Sequence, residues 1–283
     1  MVSLIACNES VKDKKDASFS SSEIDNKSLT GMIDGKIFCI PSPYEFVFHI
    51  RSLKIPYNPS LLNPVGNSSL YESSFKKNIN FGVYGIDLAY ISIYEQTSDA
   101  LNYFSTLKSI SQQIDLGEVF DVDVMERIEN NMNTQDSLLI ILTNTYKQAD
   151  KTLKNEKQKN EAALIVAGSW IESLYILTQI NKEKPNKIIE KRIAEHKFSA
   201  DNLLSLLRPY YDNSEEYKYL IDGLVNICYQ FDGVSFEYTY KKPITYPDLK
   251  KTLISSETQI AIYPEHLKNI SEQIVILRNK IIK

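Results

Sequence analysis

Two acidic residues, Asp87 and Glu172, lie inside otherwise apolar stretches of the sequence. A buried carboxylate is costly unless it is paired or protonated, so each acid needs either a partner or a polar pocket. The two surrounding segments are alike, and Tyr90 and Tyr175 occupy equivalent positions in them. We predict that these four residues line any ligand pocket, which would lie between two central helices. The structural alternative carries more weight: the acids accept hydrogen bonds from Tyr or Lys partners, or reach the rim of the bundle.

The three histidines do not complete a recognised catalytic or metal-binding pattern. None of His49, His196 and His266 follows a Glu by three residues, so the Glu-x-x-His pair of di-iron bundles is absent. The sequence also lacks a His-Glu-x-x-His zinc helix, a Gly-x-Ser-x-Gly elbow and a Walker loop. We therefore predict no catalytic residue, metal site or cofactor. A hydrolase that uses Asp87 or Glu172 as a general base remains an alternative.

The elements that would position the acids are helices, because apolar residues recur at spacings of three and four from residue 80 onward. Residues 81–96 and 162–180 are apolar on almost all sides, which is typical of central helices. Gly82 and Gly168 lie within them, and since Gly weakens a helix, they indicate a close approach of two backbones. Further helices are predicted from 98, at 122–130, from 134, at 185–207, at 213–231 and from 264.

Two stretches depart from the helical pattern. Residues 31–79 contain five prolines and are expected to wrap irregularly over the main body. Apolar and polar residues alternate from 234 to 240, as in a strand or an extended loop. The predicted fold class is mainly all-α, as a multi-helix bundle of helical hairpins with an irregular Pro-rich N-terminal segment. We expect at most one short strand-like insertion near 234–240, and a single helical domain over 36–283.

The C-terminal helix carries a narrow apolar seam. Its apolar residues repeat at spacings of three and four, as in a coiled coil, at Leu267, Ile270, Ile274, Leu277 and Ile281. Packing of this seam onto the protein's own bundle is the favoured interpretation. The alternative is a sensor or adaptor domain that contacts a partner through this helix.

Composition limits the possible functions. The chain has 283 residues, 43% of them apolar and 24% charged, as in an ordinary globular protein. Its formal charge of −4 gives no general reason to bind nucleic acid. No apolar run approaches the roughly 18 residues that a membrane-spanning helix needs. Cys39 and Cys228 are far apart in sequence, so their spacing leaves open whether they form a disulfide.

Residues near the N-terminus predict a location. Leu4-Ile5-Ala6-Cys7 matches the end of a lipoprotein signal peptide, with Cys7 as the lipidated residue. Residues 1–6 would be a remnant of that signal peptide, and 7–35 the anchor cysteine with a flexible polar tether. Acyl chains on Cys7 would hold the protein on a membrane. The expected location is the bacterial cell envelope, on the periplasmic face or the cell surface.

Several segments together resemble a known family. They are Ile40-Pro41-Ser42-Pro43-Tyr44-Glu45, Leu61-Leu62-Asn63-Pro64, residues 80–90 (NFGVYGIDLAY) and residues 167–175 (AGSWIESLY). Over roughly 36–182 the chain resembles an uncharacterised all-helical family of predicted lipoproteins from Bacteroidetes-type bacteria. The resemblance implies a helical envelope lipoprotein and no activity. We therefore expect a non-enzymatic binding or scaffold protein with an unknown protein or small-molecule partner.

Overall fold

The structure is a computed structural model that describes most of the chain beyond residue 28. The described residues are 29–33, 36–40, 50–51, 53–94, 96–114, 122–131, 134, 137, 140–141, 144 and 159–283. Cys7, with the predicted signal-peptide remnant and most of the predicted tether, lies outside the described residues. The remainder of that tether range overlaps a strand at Leu29–Ile33.

Eight α-helices dominate the described residues, which confirms the mainly all-α fold class. They are α1 (Ser74–Ser92), α2 (Thr97–Ser111), α3 (Val122–Asn131), α4 (Lys159–Glu183), α5 (Lys187–Glu195), α6 (Lys197–Leu207), α7 (Glu215–Phe231) and α8 (Pro264–Ile281). Short 3-10 turns at Pro59–Leu61 and Val65–Leu70 precede α1 and follow the prolines of the irregular segment.

The two predicted central helices are α1 and α4, and they pack directly against each other. Most residues of both are buried, 16 of 19 in α1 and 17 of 25 in α4, because each helix is apolar on almost all sides. A Cβ atom on Gly82 would overlap the Ile165 carbonyl oxygen, and one on Gly168 would overlap that of Ile79. The glycines therefore allow the backbones to touch, as their positions predict.

Helices α2, α5, α6 and α8 pack against this pair, and α7 packs on α6 and α8. The seam of α8 is buried in the chain's own bundle: Ile270, Ile274, Leu277 and Ile281 are at most 2% exposed. The predicted helix at 185–207 is divided into α5 and α6 at His196. The His196 ring donates from Nδ1 to the Arg192 carbonyl (2.9 Å), while the His196 backbone N–H bonds to Ile193 instead. The ring thus takes the acceptor that a continuous helix would use.

The strand content exceeds the single strand-like insertion predicted near 234–240. Residues 234–262 form a β-hairpin arm, in which β3 (Val234–Thr239) pairs antiparallel with β6 (Glu257–Ile262). Further out, β4 (Ile244–Tyr246) pairs with β5 (Lys251–Leu253). A separate hairpin joins β1 (Leu29–Ile33) to β2 (Lys36–Ile40). The sequence shows one period-two run because the partner strands are short and mixed in polarity.

One described helix, α4, is long and apolar enough to cross a membrane by length and composition alone, contrary to expectation. In this fold 83% of its most apolar stretch is buried inside the protein. Its hydropathy is accounted for by its central position among other helices, since a core helix meets the same criterion.

Candidate functional site

The two acids predicted from the sequence are neighbours in the protein core, where an arginine pairs with Glu172. Arg278 in α8 donates from Nε and Nη2 to the two carboxylate oxygens of Glu172, at 3.0 and 2.8 Å. Asp87 and Glu172 are fully buried, and Arg278 is 4% exposed. We call Asp87, Glu172 and Arg278 the polar cluster. The pair of hydrogen bonds between Arg278 and Glu172 is the strongest form of a carboxylate–guanidinium contact.

The guanidinium group of Arg278 is held on further sides. Its Nη2 also donates to the Leu61 carbonyl oxygen (3.0 Å), and its Cζ lies 4.3 Å from the centre of the Tyr175 ring. Burial lowers the pKa of Arg278 most, but the charge and hydrogen bonds of Glu172 together with neighbouring groups outweigh it, so the net pKa is raised and the group stays charged. The predicted site residue Tyr175 therefore belongs to the cluster as a cation–π partner.

The environment of Asp87 favours its protonated form. Burial raises its pKa well above the usual range, and the neighbouring Glu172 carboxylate raises it further. Its Oδ2 accepts the Asn63 backbone N–H at 3.0 Å, whereas its buried Oδ1 faces no donor. A proton on Asp87 would account for this arrangement, because the neutral acid donates a hydrogen bond to Glu172. One arginine thereby neutralises the single charge that the two acids retain.

The polar cluster organises the loop at 61–64, the Leu-Leu-Asn-Pro segment. Side chains from three helices bond the backbone of this loop. Arg278 donates to the Leu61 carbonyl, and Asp87 accepts the Asn63 N–H. Tyr103 and Tyr84 donate to the carbonyls of Asn63 and Pro64. A buried loop must satisfy its peptide groups, and here ionisable and phenolic side chains do so. The cluster thus holds an irregular segment against the helices.

The side chain of Asn63 extends the same network to the end of α8. It donates to the Tyr71 hydroxyl (2.9 Å) and to Asn80 (3.3 Å). Asn80 then donates to the Ile281 carbonyl and Tyr71 to that of Ile282. The backbone carbonyls at the C-terminal end of α8 have no partner within the helix, and they accept hydrogen bonds from Asn80 in α1 and from Tyr71 in the preceding turn.

Tyr90, the fourth predicted site residue, belongs to a different group. Its hydroxyl accepts the Asn58 backbone N–H at 3.1 Å, and its ring packs with those of Tyr57 and Tyr94. Tyr57 in turn donates to Asp99 at 2.8 Å. Tyr90 thus fastens residues 57–58 of the irregular segment to α1, one turn beyond Asp87.

The sequence did not indicate Arg278 of the polar cluster, nor Asn63, which bonds to the cluster through Asp87. The expected partners of the acids were Tyr or Lys, and the partner found is an arginine 106 residues after Glu172. A usable signal was present: Arg278 follows Ile274 by four residues and Leu277 by one, and so falls on the apolar side of α8.

A buried serine and histidine also meet, although no sequence pattern indicated them. Ser173 Oγ lies 3.1 Å from His196 Nε2, and burial lowers the pKa of His196 to about 4. The Nδ1 of His196 donates to the Arg192 carbonyl, so Nε2 is the acceptor. Trp170 packs edge-on against the imidazole and donates to Ser199 at 2.9 Å. Both Ser173 and His196 are buried, so this pair locks α4 to the α5–α6 junction.

An open groove lies on the surface between α4, α5 and the start of α8. Its volume is about 610 Å³, within the range of roughly 300–1,000 Å³ for small-molecule sites. Apolar lining comes from Pro185, Ile262, Pro264 and Leu267, and polar lining includes Thr178, Asn181, Ser271 and charged residues at the rim. None of the four predicted site residues lines it.

Neither a metal-binding group nor a reactive thiol is present among the side chains that the structure describes. Within the described ranges, no group of three or more His, Cys, Asp or Glu side chains is placed to hold a metal ion. Cys228 is a free thiol, and burial raises its pKa to about 12. Since the thiolate is the reactive form, Cys228 is an unreactive, partly buried residue packed against the core.

No protein-family model, curated protein or solved structure matches this chain.

Proposed function

We propose that this chain is a lipid-anchored protein of the bacterial cell envelope with a non-enzymatic binding or scaffold role. The proposed anchor is Cys7, and the resemblance to envelope lipoproteins supports it. The observation that carries the non-enzymatic part is the pairing of Glu172 with Arg278. A carboxylate held by two guanidinium bonds in a buried site is not free to take a proton from a substrate.

The alternatives predicted from the sequence draw less support from the fold. A hydrolase would need Asp87 or Glu172 as a base, but burial favours the protonated form of Asp87 and Glu172 is paired with Arg278. A sensor that binds through the seam of α8 would need that seam exposed, and it is buried in the chain's own bundle.

The surface groove is the place that best suits a binding role. It combines an apolar floor with polar groups at fixed positions, which is the composition of small-molecule sites. The proposed ligand is a small amphipathic molecule of the envelope, such as a sugar or a short peptide.

A thermal-shift screen of envelope sugars, peptides, metals and haem tests this role. We expect a ligand that raises the melting temperature of the wild-type chain and has no effect on a Ser271→Trp variant, in which the groove is filled. Ile276→Trp is the matched control, since Ile276 is exposed on the same helix and lies outside the groove. A ligand that stabilises all three proteins equally would place the binding site elsewhere.

The anchor and the absence of catalysis need separate tests. Membrane fractionation of wild-type and Cys7→Ser cells should show loss of membrane association in the variant, and unchanged partitioning would contradict the anchor. Turnover of ester, peptide or glycoside substrates that disappears in a folded Asp87→Asn variant would contradict the non-enzymatic role.

A further inference from the structure

The outer part of the β-hairpin arm is exposed and rich in large apolar side chains. Every residue described from Glu237 to Ile254 is exposed. Seven of the thirteen exposed large hydrophobic residues in the described chain lie on or beside the arm: Tyr238, Tyr240, Ile244, Tyr246, Leu253, Ile254 and Tyr263. A cluster of this kind marks an interaction surface, whereas single exposed apolar residues are ordinary.

The base of the arm is attached firmly, so the tip is presented in a defined way. Phe236 packs on Phe198 with ring centres 4.3 Å apart, and Lys197 donates to the Val234 carbonyl at 2.8 Å. The paired strands β3 and β6 run for six residues, roughly 20 Å at about 3.3 Å per residue, and the outer hairpin lies beyond them. The arm is thus a stable support for its outer hairpin.

The outer hairpin has two different faces. Ile244 pairs with Leu253 and Tyr246 with Lys251, and these four side chains share one face because residues two apart in a strand point the same way. Thr245 and Thr252 occupy the other face. An apolar face bordered by lysine is therefore exposed at the far end of the arm.

The charge of the tip is opposite to that of the whole protein. Residues 240–254 contain four lysines and one aspartate, a net charge of +3, whereas the chain carries −4. Lys241 pairs with Glu257 at 2.5 Å, which leaves Lys242, Lys250 and Lys251 at the turn. The tip thus combines cations, tyrosines and branched apolar residues.

We propose that the tip of the arm docks on an anionic lipid surface. Tyrosine rings prefer the boundary between headgroups and acyl chains, and lysines bind acidic headgroups while their stems lie along apolar surface. Self-association through two tips is disfavoured because equal positive charges would meet. This contact does not rest on the Cys7 anchor and adds a second attachment that fixes the orientation of the domain.

Vesicle flotation of the full-length Cys7→Ser chain tests the proposal without the anchor. We expect binding to vesicles of 70% phosphatidylcholine and 30% phosphatidylglycerol, and little binding to phosphatidylcholine alone. Each lysine near an anionic surface contributes on the order of fivefold, so replacing Lys242, Lys250 and Lys251 with Ser should weaken binding on the order of 100-fold. Replacing Lys184, Lys191 and Lys283 with Ser is the matched control, since these lysines are exposed and lie outside both the tip and the groove.

A fluorescence measurement separates insertion from adsorption. The only tryptophan, Trp170, is buried, so a Tyr246→Trp variant reports on the tip. We expect a blue shift and quenching by brominated lipids when anionic vesicles are added. Absence of binding, or equal binding by the two triple-lysine variants, would overturn the proposal. Concentration-dependent self-association that is lost in the tip variant, without vesicle binding, would instead assign the tip to a second copy of the chain.

Discussion

Arg278 and Glu172 form a two-bond ion pair in the core, with the buried Asp87 beside it. Replacing Arg278 with Met should lower the free energy of unfolding by about 3–5 kcal/mol, because the Glu172 charge is left buried without a partner. Denaturant unfolding measures the loss. The double variant Glu172→Leu with Arg278→Met should recover most of it. Additive losses in the two single variants and the double variant would contradict a direct coupling.

The proton on Asp87 gives a distinct dependence of stability on pH. Its pKa is raised in the folded state above the unfolded value of about 3.9, so folding binds a proton. The resulting contribution to the free energy of unfolding is complete below pH 4, and it is lost as the pH rises through the pKa of Asp87 in the folded state. Asp87→Asn imitates the protonated acid and should remove this fall while keeping the fold. A variant with an unchanged pH profile would show that Asp87 is ionised.

His196 should act in the opposite direction over a defined range. Its pKa falls from about 6.5 when unfolded to about 4 when folded, so the unfolded state binds more protons between these values. Stability should therefore decrease as the pH is lowered from 6.5 to 4, by about 3 kcal/mol from this group. His196→Gln should lose this part of the dependence in unfolding curves taken at several pH values. A wild-type chain with equal stability at pH 7 and pH 4 after correction for Asp87 would contradict it.

The contact between α1 and α4 depends on two glycines. Gly82→Ala or Gly168→Ala should lower stability by about 1–3 kcal/mol or more, because the added methyl group overlaps a backbone carbonyl of the facing helix. Gly66→Ala is the matched control, since a Cβ atom there meets nothing within 4 Å. Thermal unfolding of the three variants gives the comparison. Equal effects at Gly82 and Gly66 would mean that the helices are able to move apart.

The central helices could be predicted from the sequence because local pattern determines them. The acids Asp87 and Glu172, the glycines Gly82 and Gly168, and the apolar residues around them all lie within single segments. Their periodicity indicates burial, and burial of an acid indicates a partner. The same periodicity predicts that the seam of α8 packs on the protein's own bundle.

The partners themselves could not be predicted, since they come from distant parts of the chain. Arg278 reaches Glu172 only through the crossing of α8 over α4, and Asn63 reaches Asp87 through an irregular loop. The outer strands of the arm were missed because a three-residue strand has too few residues to show alternation. The division of the predicted 185–207 helix depends on one side-chain bond from His196, which propensity does not report.

The position of Arg278 in the chain also bears on the order in which the protein is made. The ribosome completes α1 and α4, with Asp87 and Glu172, well before it adds the arginine that neutralises them. Until then the two helices carry acidic groups that favour water over a dry interface. We therefore expect the contact between α1 and α4 to close fully only after α8 has been synthesised.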